Sequence, residues 1–189
     1  MPAEPLSQVA RSLGIAQSGA TVLQQPAAPF DLPGEAAKAA RLLAQLTSTL
    51  DQFAALHDFT SGLGLSAPQL GITRAAAVIH VPNGQCYALL NPRIVAQSAD
   101  TDEDYEGCLS FYDVRGLVTR PVTLHIEHQN LDGQYTVTEF PHGLARLAAH
   151  EIDHLRGLLY TDRMPAGLSP IEVRPYRRAP GKPARGTTR

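Results

Sequence analysis

The sequence contains no tryptophan, two methionines and two cysteines, and aromatic residues make up 6% of its 189 positions. Cys86 and Cys108 are too few for the disulfide framework that stabilises many small secreted domains. No apolar run approaches the roughly 20 residues that a membrane-spanning helix needs. The first ten residues, MPAEPLSQVA, lack the basic and apolar regions of a secretory signal. We therefore expect a cytoplasmic protein that does not interact with membranes.

The chain also lacks a large excess of either charge, since 16 Lys and Arg stand against 18 Asp and Glu and give a net charge of −2. This balance argues against a protein that grips nucleic acid over its whole surface, and specific DNA binding is not expected. The charge is unevenly distributed, because residues 174–189 contain five Arg, one Lys and no acidic residue. We predict one domain over residues 1–173 and a flexible basic tail, which is either solvated or makes a weak contact with a phosphate backbone such as that of ribosomal RNA.

Hydrophobic periodicity predicts an α+β domain with a mostly antiparallel sheet. Residues 1–33 are rich in Pro, Ala, Gln and Ser and are expected to wrap the surface irregularly. Apolar residues at helical spacing predict helices over residues 35–59 and 141–157, and Gly62 and Gly64 are expected to open a loop after the first helix. Strands are predicted over residues 75–81, 87–90, 122–128 and 135–140, with turns at 82–84 and 132–133.

The second predicted helix carries the motif His150-Glu151-Ile152-Asp153-His154. Positions i and i+4 lie on one face of a helix, so both imidazoles can bind the same metal ion. A glutamate directly after the first histidine can reach a water molecule on such a metal and take its proton. The motif therefore predicts a metal site with Glu151 placed to activate water.

A catalytic metal site needs a third protein ligand. The metzincin pattern HExxHxxGxxH has its glycine here at Gly157, but Tyr160 stands where its third histidine would be. A downstream glutamate could also be the third ligand, but only Glu172 follows the motif. Cys108 in the segment EGCLS is the other candidate, since a thiolate with two imidazoles suits Zn²⁺ or Fe²⁺. A lone cysteine is more often an inert core residue, so Cys108 taken alone does not decide the matter, and Cys86 keeps that interpretation.

The segment GLGLSAPQ, which begins at Gly62, lacks the lysine and the third glycine of phosphate-binding loops. By itself it indicates a turn with Gln69 as an ordinary polar residue. Together, however, GLGLSAPQ, EGCLS and HEIDH resemble in this order the three signature motifs of the peptide deformylases, and the resemblance covers about residues 62–164. It implies an α+β fold with the HExxH helix packed among sheets, and removal of the formyl group from the N-terminal methionine of new bacterial polypeptides. It also implies one divalent ion, typically Fe²⁺ with Zn²⁺, Ni²⁺ or Co²⁺ as substitutes.

The resemblance also implies roles for individual residues. Cys108, His150 and His154 would bind the metal, with water in the fourth place, and Glu151 would act as general base and then as acid. Stabilisation of the oxyanion would come from the Gln69 side chain and the backbone N–H of Leu109. Contacts with the formyl-methionyl peptide would come from Leu63, Gly64, Tyr112, Arg115 and Leu147, the last of which would line the methionine pocket.

The sequence departs from the family pattern at several positions. Ser66 stands where the family generally has alanine, Tyr112 where it has proline and Ala149 where it has glutamine, and residues 22–33 lack the usual N-terminal segment. The resemblance implies that the segment with Tyr112 borders the substrate groove, so Tyr112 is expected to reshape it. Two alternatives therefore stay open beside a deformylase of nascent chains. One is the same chemistry on another formylated metabolite or peptide; the other is a metal-binding protein without turnover, against which the intact catalytic positions count.

Overall fold

The computed structural model describes residues 6–55 and 62–172 and has an α+β architecture. The helices in these ranges are α1 (Leu6–Ser12), α2 (Ala36–Ala54) and α3 (His142–Leu155). The strands are β1 (Leu63–Ser66), β2 (Ala76–His80), β3 (Cys86–Gln97), β4 (Thr101–Glu106), β5 (Val114–Pro121), β6 (Thr123–Gln129), β7 (Tyr135–Pro141) and β8 (Ile171–Glu172). Within the described part of the chain, none of the helices has both the length and the apolar composition that crossing a membrane takes.

Two antiparallel sheets form the framework. The larger sheet has the strand order β1-β2-β3-β6-β7 and the smaller one the order β4-β5-β8. Helix α3 contacts strands of both sheets, namely β1, β2, β6 and β7 of the larger and β5 of the smaller. The predicted α+β class is confirmed, as are the turns at 82–84 and 132–133, which join β2 to β3 and β6 to β7.

Helix α2 packs its apolar face on strands β1 and β2. Four residues at helical spacing form this face, and all are buried: Leu42, Leu46, Leu50 and Phe53. They share one cluster with Leu65 of β1 and Val78 of β2, and each such side chain contributes about 1.5–3 kcal/mol on burial. The prediction of a helix is confirmed over Ala36–Ala54, while the predicted positions 56–59 lie outside the described residues.

Residues 63–66 form strand β1 where the sequence analysis predicted a loop. Glycine is disfavoured inside strands, so the presence of Gly64 argued against predicting a strand here. In the structure a Cβ at Gly64 would lie 2.2 Å from Oε1 of Glu151 on α3. A side chain at this position would therefore displace the Glu151 side chain, and this tertiary contact explains why a glycine occupies a strand.

The described part of residues 1–33 also differs from the irregular segment that was predicted. It contains helix α1 and a short 3₁₀ turn at Thr21–Gln24. Several of its apolar side chains are buried: Val9, Ala10, Ile15, Leu23 and Phe30. These residues are too far apart in the sequence to show a period, yet most of them complete the core beside α2. The predicted tail at 174–189 lies outside the described residues.

Strands β4, β5 and β8 were not predicted. Strand β4 has the sequence TDEDYE, in which every residue except Glu106 is exposed. Such a strand shows no apolar alternation, and it is held instead by its antiparallel pairing with β5. The inward-facing Glu106 is the link from this sheet to the site described below.

An ion pair fastens the start of α2 to the residues before β2. The Glu35 carboxylate accepts hydrogen bonds from both terminal nitrogens of Arg74 and from Nζ of Lys38. The Arg74 guanidinium also lies 3.9 Å from the ring centroid of Phe30. The hydrogen bonds from Arg74, the Asp31 N–H and Lys38 lower the pKa of Glu35 from 4.5 to about 2.

Because the pKa of Glu35 lies below its ordinary value in the folded protein, its charge stabilises the fold above pH 4.5, and this contribution is lost as the pH falls toward 2. Glu35→Gln should therefore unfold at lower urea concentration than the wild type at about pH 7, and this difference should shrink at about pH 3. Glu103→Gln, a change at an exposed position of β4, serves as control. A deficit of equal size at both pH values would contradict the assignment.

Candidate active site

Helix α3 places three of the predicted residues on one buried surface. His150, Glu151 and His154 are 6%, 2% and 1% exposed. The two imidazole rings, one turn apart, have their centroids 4.9 Å from each other. Three alanines of the same helix are also buried, and their small side chains allow α3 to approach both sheets closely.

Cys108, in the loop after β4, completes a group of possible metal ligands. Its Sγ lies 3.2 Å from Nε2 of His154, and the ligand atoms of Cys108, His150 and His154 all lie within 4.8 Å of one another. In a tetrahedral site with metal–sulfur and metal–nitrogen distances of about 2.3 and 2.1 Å, the sulfur–nitrogen edge is about 3.6 Å. The three residues therefore fit one divalent metal ion.

The charges in this group act on one another. Burial alone would raise the pKa of the Cys108 thiol, but the positive charges of His154 and His150 lower it well below its usual value of 9.0. Burial would lower the pKa of His150, but the Cys108 thiolate and Glu106 raise it well above 6.5. The thiolate is the form of cysteine that binds metals. An environment that favours an imidazolium also favours a cation placed among the three ligand atoms.

Glu106 fixes the orientation of His150. Its Oε2 lies 3.0 Å from Nδ1 of His150, and because a carboxylate only accepts, Nδ1 carries the hydrogen and Nε2 is left for a metal. Arg120 donates to both oxygens of Glu106, at 2.8 and 3.0 Å, and Arg146 donates at 3.1 Å. Burial would raise the pKa of Glu106, but the hydrogen bonds from His150 and Arg120 lower it to about 2.

A second buried carboxylate, Asp153 on α3, extends this network. Nη1 of Arg120 donates to Asp153 at 2.6 Å, and Arg163 donates two further hydrogen bonds at 2.6 and 3.1 Å. Burial would raise the pKa of Asp153, but the hydrogen bonds from Arg163 and the charge of Arg120 lower it. Arg120 therefore joins the cysteine-bearing segment to α3 through two carboxylates.

The sequence analysis assigned no role to Glu106, Arg120 or Asp153. The two acids stand within the same motifs as the predicted ligands, and this proximity was their only signal. Arg120 shares the buried face of β5 with Val118, and a charged residue on a buried face needs a partner. That rule marks Arg120 as unusual, but it does not identify which carboxylates it binds.

Gln69 turns its amide nitrogen toward Cys108. Its Oε1 accepts hydrogen bonds from the backbone N–H and the hydroxyl of Ser66, at 2.9 and 3.0 Å. Its Nε2 lies 3.5 Å from Sγ of Cys108 and 3.3 Å from the hydroxyl of Ser110. Ser66, a departure from the family pattern, thus holds the amide in this orientation. The backbone N–H of Leu109 has no acceptor among the described residues.

The Glu151 carboxylate lies between α3 and β1. Its Oε1 faces Gly64, and its buried Oε2 has no hydrogen-bond partner in the described part of the chain. Burial raises the pKa of Glu151 above 4.5, an effect that the charges of His150 and His154 partly offset. A carboxyl group with a raised pKa is suited to take up and release a proton.

A cavity of about 370 Å³ adjoins these groups. Its wall includes ten of the predicted site residues: Leu63, Gly64, Gln69, Cys108, Leu109, Tyr112, Arg115, Leu147, His150 and Glu151. His154 does not line the cavity and reaches the ligand group through its Nε2 atom. Cys86 is exposed on β3 and lies apart from the cavity wall.

Three features of the wall concern an extended ligand. Strand β1 is an edge of its sheet and pairs only with β2 among the described residues, which leaves its other side without a strand partner. Arg115 lies against Gly107, where a Cβ would be 2.4 Å from its Nη1, and it forms no ion pair with a described residue. Tyr112 packs on Phe53 with ring centroids 5.7 Å apart.

Comparison with known proteins shows similarity over most of this structure. The polypeptide deformylase family profile matches residues 12–168. Peptide deformylase 2 of Clostridium perfringens is 44% identical over 103 residues, which are 54% of this chain and 66% of that protein. A peptide deformylase of Desulfitobacterium hafniense is 36% identical over 149 residues, or 79% of this chain and 92% of the relative.

Solved structures are similar as well. The crystal structure of peptide deformylase from Thermotoga maritima matches with a TM-score of 0.69 and 32% identity, over 80% of this chain and 96% of that one. Peptide deformylase 1B of Arabidopsis thaliana matches with a TM-score of 0.70 and 29% identity, over 80% and 81% of the two chains. The chain belongs to the polypeptide deformylase family.

Glu106→Gln should weaken metal binding by about 10- to 100-fold, because the Nδ1–H of His150 loses the carboxylate that orients the ring. Competition with a chromophoric chelator measures this affinity for Zn²⁺, and circular dichroism shows whether the variant is folded. The matched control is Glu103→Gln, three positions earlier on the exposed side of β4, which should bind like the wild type. Equal affinities of a folded Glu106→Gln variant and the wild type would refute the orienting role.

Proposed function

We propose that this protein removes the formyl group from the N-terminal formyl-methionine of newly synthesised polypeptides, with the residues assigned below. The observation that carries the proposal is the arrangement at the cavity. The ligand atoms of Cys108, His150 and His154 lie within 4.8 Å of one another, and the Glu151 carboxylate and the Gln69 amide adjoin the same cavity. This is the set of groups that hydrolysis of a small amide requires.

Cys108, His150 and His154 would hold one divalent ion. A thiolate with two imidazoles suits several such ions, and on the family resemblance we propose Fe²⁺ as the native one, with Zn²⁺, Ni²⁺ or Co²⁺ as substitutes. When bound, the ion would act as a Lewis acid and lower the pKa of water toward neutrality.

Glu151 is the proposed proton carrier. Its unpartnered Oε2 and raised pKa allow it to take a proton from water and then deliver it to the leaving amine. Gly64 makes room for this carboxylate beside β1. A glutamate held in this position serves both steps without moving.

Gln69 and Leu109 would stabilise the negative charge that develops on the formyl oxygen. Nε2 of Gln69 is oriented by Ser66, and the N–H of Leu109 has no acceptor among the described residues. Donors that are fixed before the reaction need no reorganisation, and loss of one typically costs about 10²- to 10³-fold in rate.

The rest of the cavity wall would bind the peptide. The open side of β1, at Leu63 and Gly64, offers main-chain hydrogen bonds to an extended chain. Arg115, which has no carboxylate partner in the described structure, would lie near the far end of the peptide. Tyr112 would border the groove, and Leu147 would line the pocket for the methionine side chain.

Glu151→Gln keeps the size of the side chain but removes the base, so it should slow formate release by at least about 100-fold. Its metal content should equal that of the wild type, because Glu151 is not among the ligand atoms. The measurement is formate from formyl-Met-Ala-Ser, with enzyme prepared anaerobically in Fe²⁺ and separately in Zn²⁺. The acetylated and unblocked peptides are the substrate controls.

A different experimental result would contradict each part of the proposal. Full activity of Glu151→Gln would refute the base assignment, and loss of metal from this variant would make Glu151 a structural residue instead. Absence of formate from the metal-loaded wild type would refute the deformylase proposal and favour a protein that binds metal without turnover.

We also propose that residues 1–173 form one catalytic domain in the cytoplasm and that residues 174–189 are a tail that touches ribosomal RNA. Deletion of 174–189 should leave kcat/KM for the tripeptide unchanged within about twofold and should weaken sedimentation with ribosomes at low salt, because contacts with phosphates are electrostatic. Unchanged sedimentation would refute the contact, and a large loss of activity would assign the tail to the site.

A further inference from the structure

The cavity extends beyond the residues assigned to catalysis. We define its outer end by the residues Asp102, Asp104, Gly143, Arg146 and Leu147, all of which line it. Leu147 is the only aliphatic side chain among them, and Tyr105 of β4 also lines the cavity. A pocket that selected an apolar side chain would be lined mostly by apolar groups, so this composition needs another explanation.

The outer end is built by β4 and the first turns of α3. The two elements run side by side away from the candidate metal ligands. Glu106 contacts His150 at 3.0 Å, and further out the carbonyl oxygen of Asp102 accepts from Arg146 at 2.8 Å. Asp104 lies two strand residues, about 6.8 Å, outward from Glu106. Leu147 lies three helical residues, a rise of about 4.5 Å, before His150. A side chain of methionine length that starts beside the metal ligands therefore ends near this level.

Arg146, the positively charged residue of the outer end, already has hydrogen-bond and ion-pair partners. Nη1 of Arg146 donates to Glu106 at 3.1 Å and to the carbonyl of Val118 at 2.7 Å, and Nη2 lies 3.6 Å from the Asp102 carboxylate. The Asp104 carboxylate accepts from the N–H of Tyr105, and the carbonyl oxygen of the same residue accepts from Nη1 of Arg146 at 3.5 Å. The carboxylate forms no ion pair with any described residue. At the outer end of the cavity, the Asp104 carboxylate is thus without a salt bridge in the described part of the chain.

Gly143 leaves the opposite wall without a side chain. It lies two helical turns before His150 on α3, and a Cβ there would meet no atom within 4 Å. The outer end is therefore open enough for a polar group that keeps part of its water. A lysine side chain, with an apolar stem and a charged tip, matches a wall that has Leu147 inside and Asp104 further out.

From these contacts we propose that the Asp104 carboxylate contacts the first side chain of the substrate. The site would then accept formylated peptides that begin with a basic residue, in addition to those that begin with methionine. This inference rests on the deformylase function proposed above. It makes Asp104 a specificity-determining residue and identifies the class of alternative substrate.

The test compares formyl-Lys-Ala-Ser with formyl-norleucyl-Ala-Ser, whose first side chains share an apolar stem and differ in the charged tip. The quantity measured is the ratio of kcat/KM for the two peptides, which does not depend on the fraction of active enzyme. Asp104→Asn should lower the ratio of lysine to norleucine by about threefold or more, as expected for a partly exposed charge pair. The control Glu103→Gln, next to Asp104 on the other face of β4, should leave the ratio unchanged.

Salt separates the effect of charge from a change of shape. Raising the ionic strength from about 0.05 M to about 0.5 M shortens the screening length, so the ratio of the wild type should fall toward that of Asp104→Asn. The inference is overturned if Asp104→Asn and Glu103→Gln give the same ratio, or if the wild type releases formate from the norleucine peptide but not from the lysine peptide. In both cases the deformylase function stands. Failure of the metal-loaded wild type on both peptides and on formyl-Met-Ala-Ser would instead overturn the proposed function and this inference with it.

Discussion

The arrangement of the site depends on one buried carboxylate, that of Glu106. Burial of a charge is costly unless partners surround it, and here Arg120, Arg146 and His150 all bind the same two oxygens. Because Glu106 stands two residues before Cys108, a single short segment both contains one candidate metal ligand and orients another, His150. Arg120 also donates a hydrogen bond to Asp153 on α3. These charge pairs connect the cysteine loop to the histidine helix, in addition to the apolar clusters in which both segments are buried.

The candidate site residues that spacing in the sequence could bring together are those that depend on local geometry. The spacing of His150, Glu151 and His154 requires only a helix, and the structure contains that helix. Cys108 is 46 residues from His154, and no rule of spacing joins residues so far apart, so its selection needed the resemblance of three motifs. The partners of Arg120 were beyond both kinds of reasoning, because strand pairing and helix placement bring these groups together.

The same distinction between local pattern and distant contact applies to the fold. Helix α2 was predictable because its buried face repeats every three to four residues. Strand β1 was not, since its glycine is required by the Glu151 carboxylate of another element. Strand β4 is acidic and exposed, and its structure comes from backbone pairing with β5. In each case the missing information was a contact between distant segments, which sequence pattern does not encode.

The open side of β1 has a consequence for the solution behaviour of the molecule. A strand with unpaired backbone groups is a template on which a second copy of the chain can add its own strand, and long flat edges of this kind lead to aggregation. β1 is four residues long and passes at once into a 3₁₀ turn at Ala67–Leu70. So short an edge offers only a few main-chain hydrogen bonds, which limits how firmly it can hold either an extended peptide or the strand of a neighbouring copy.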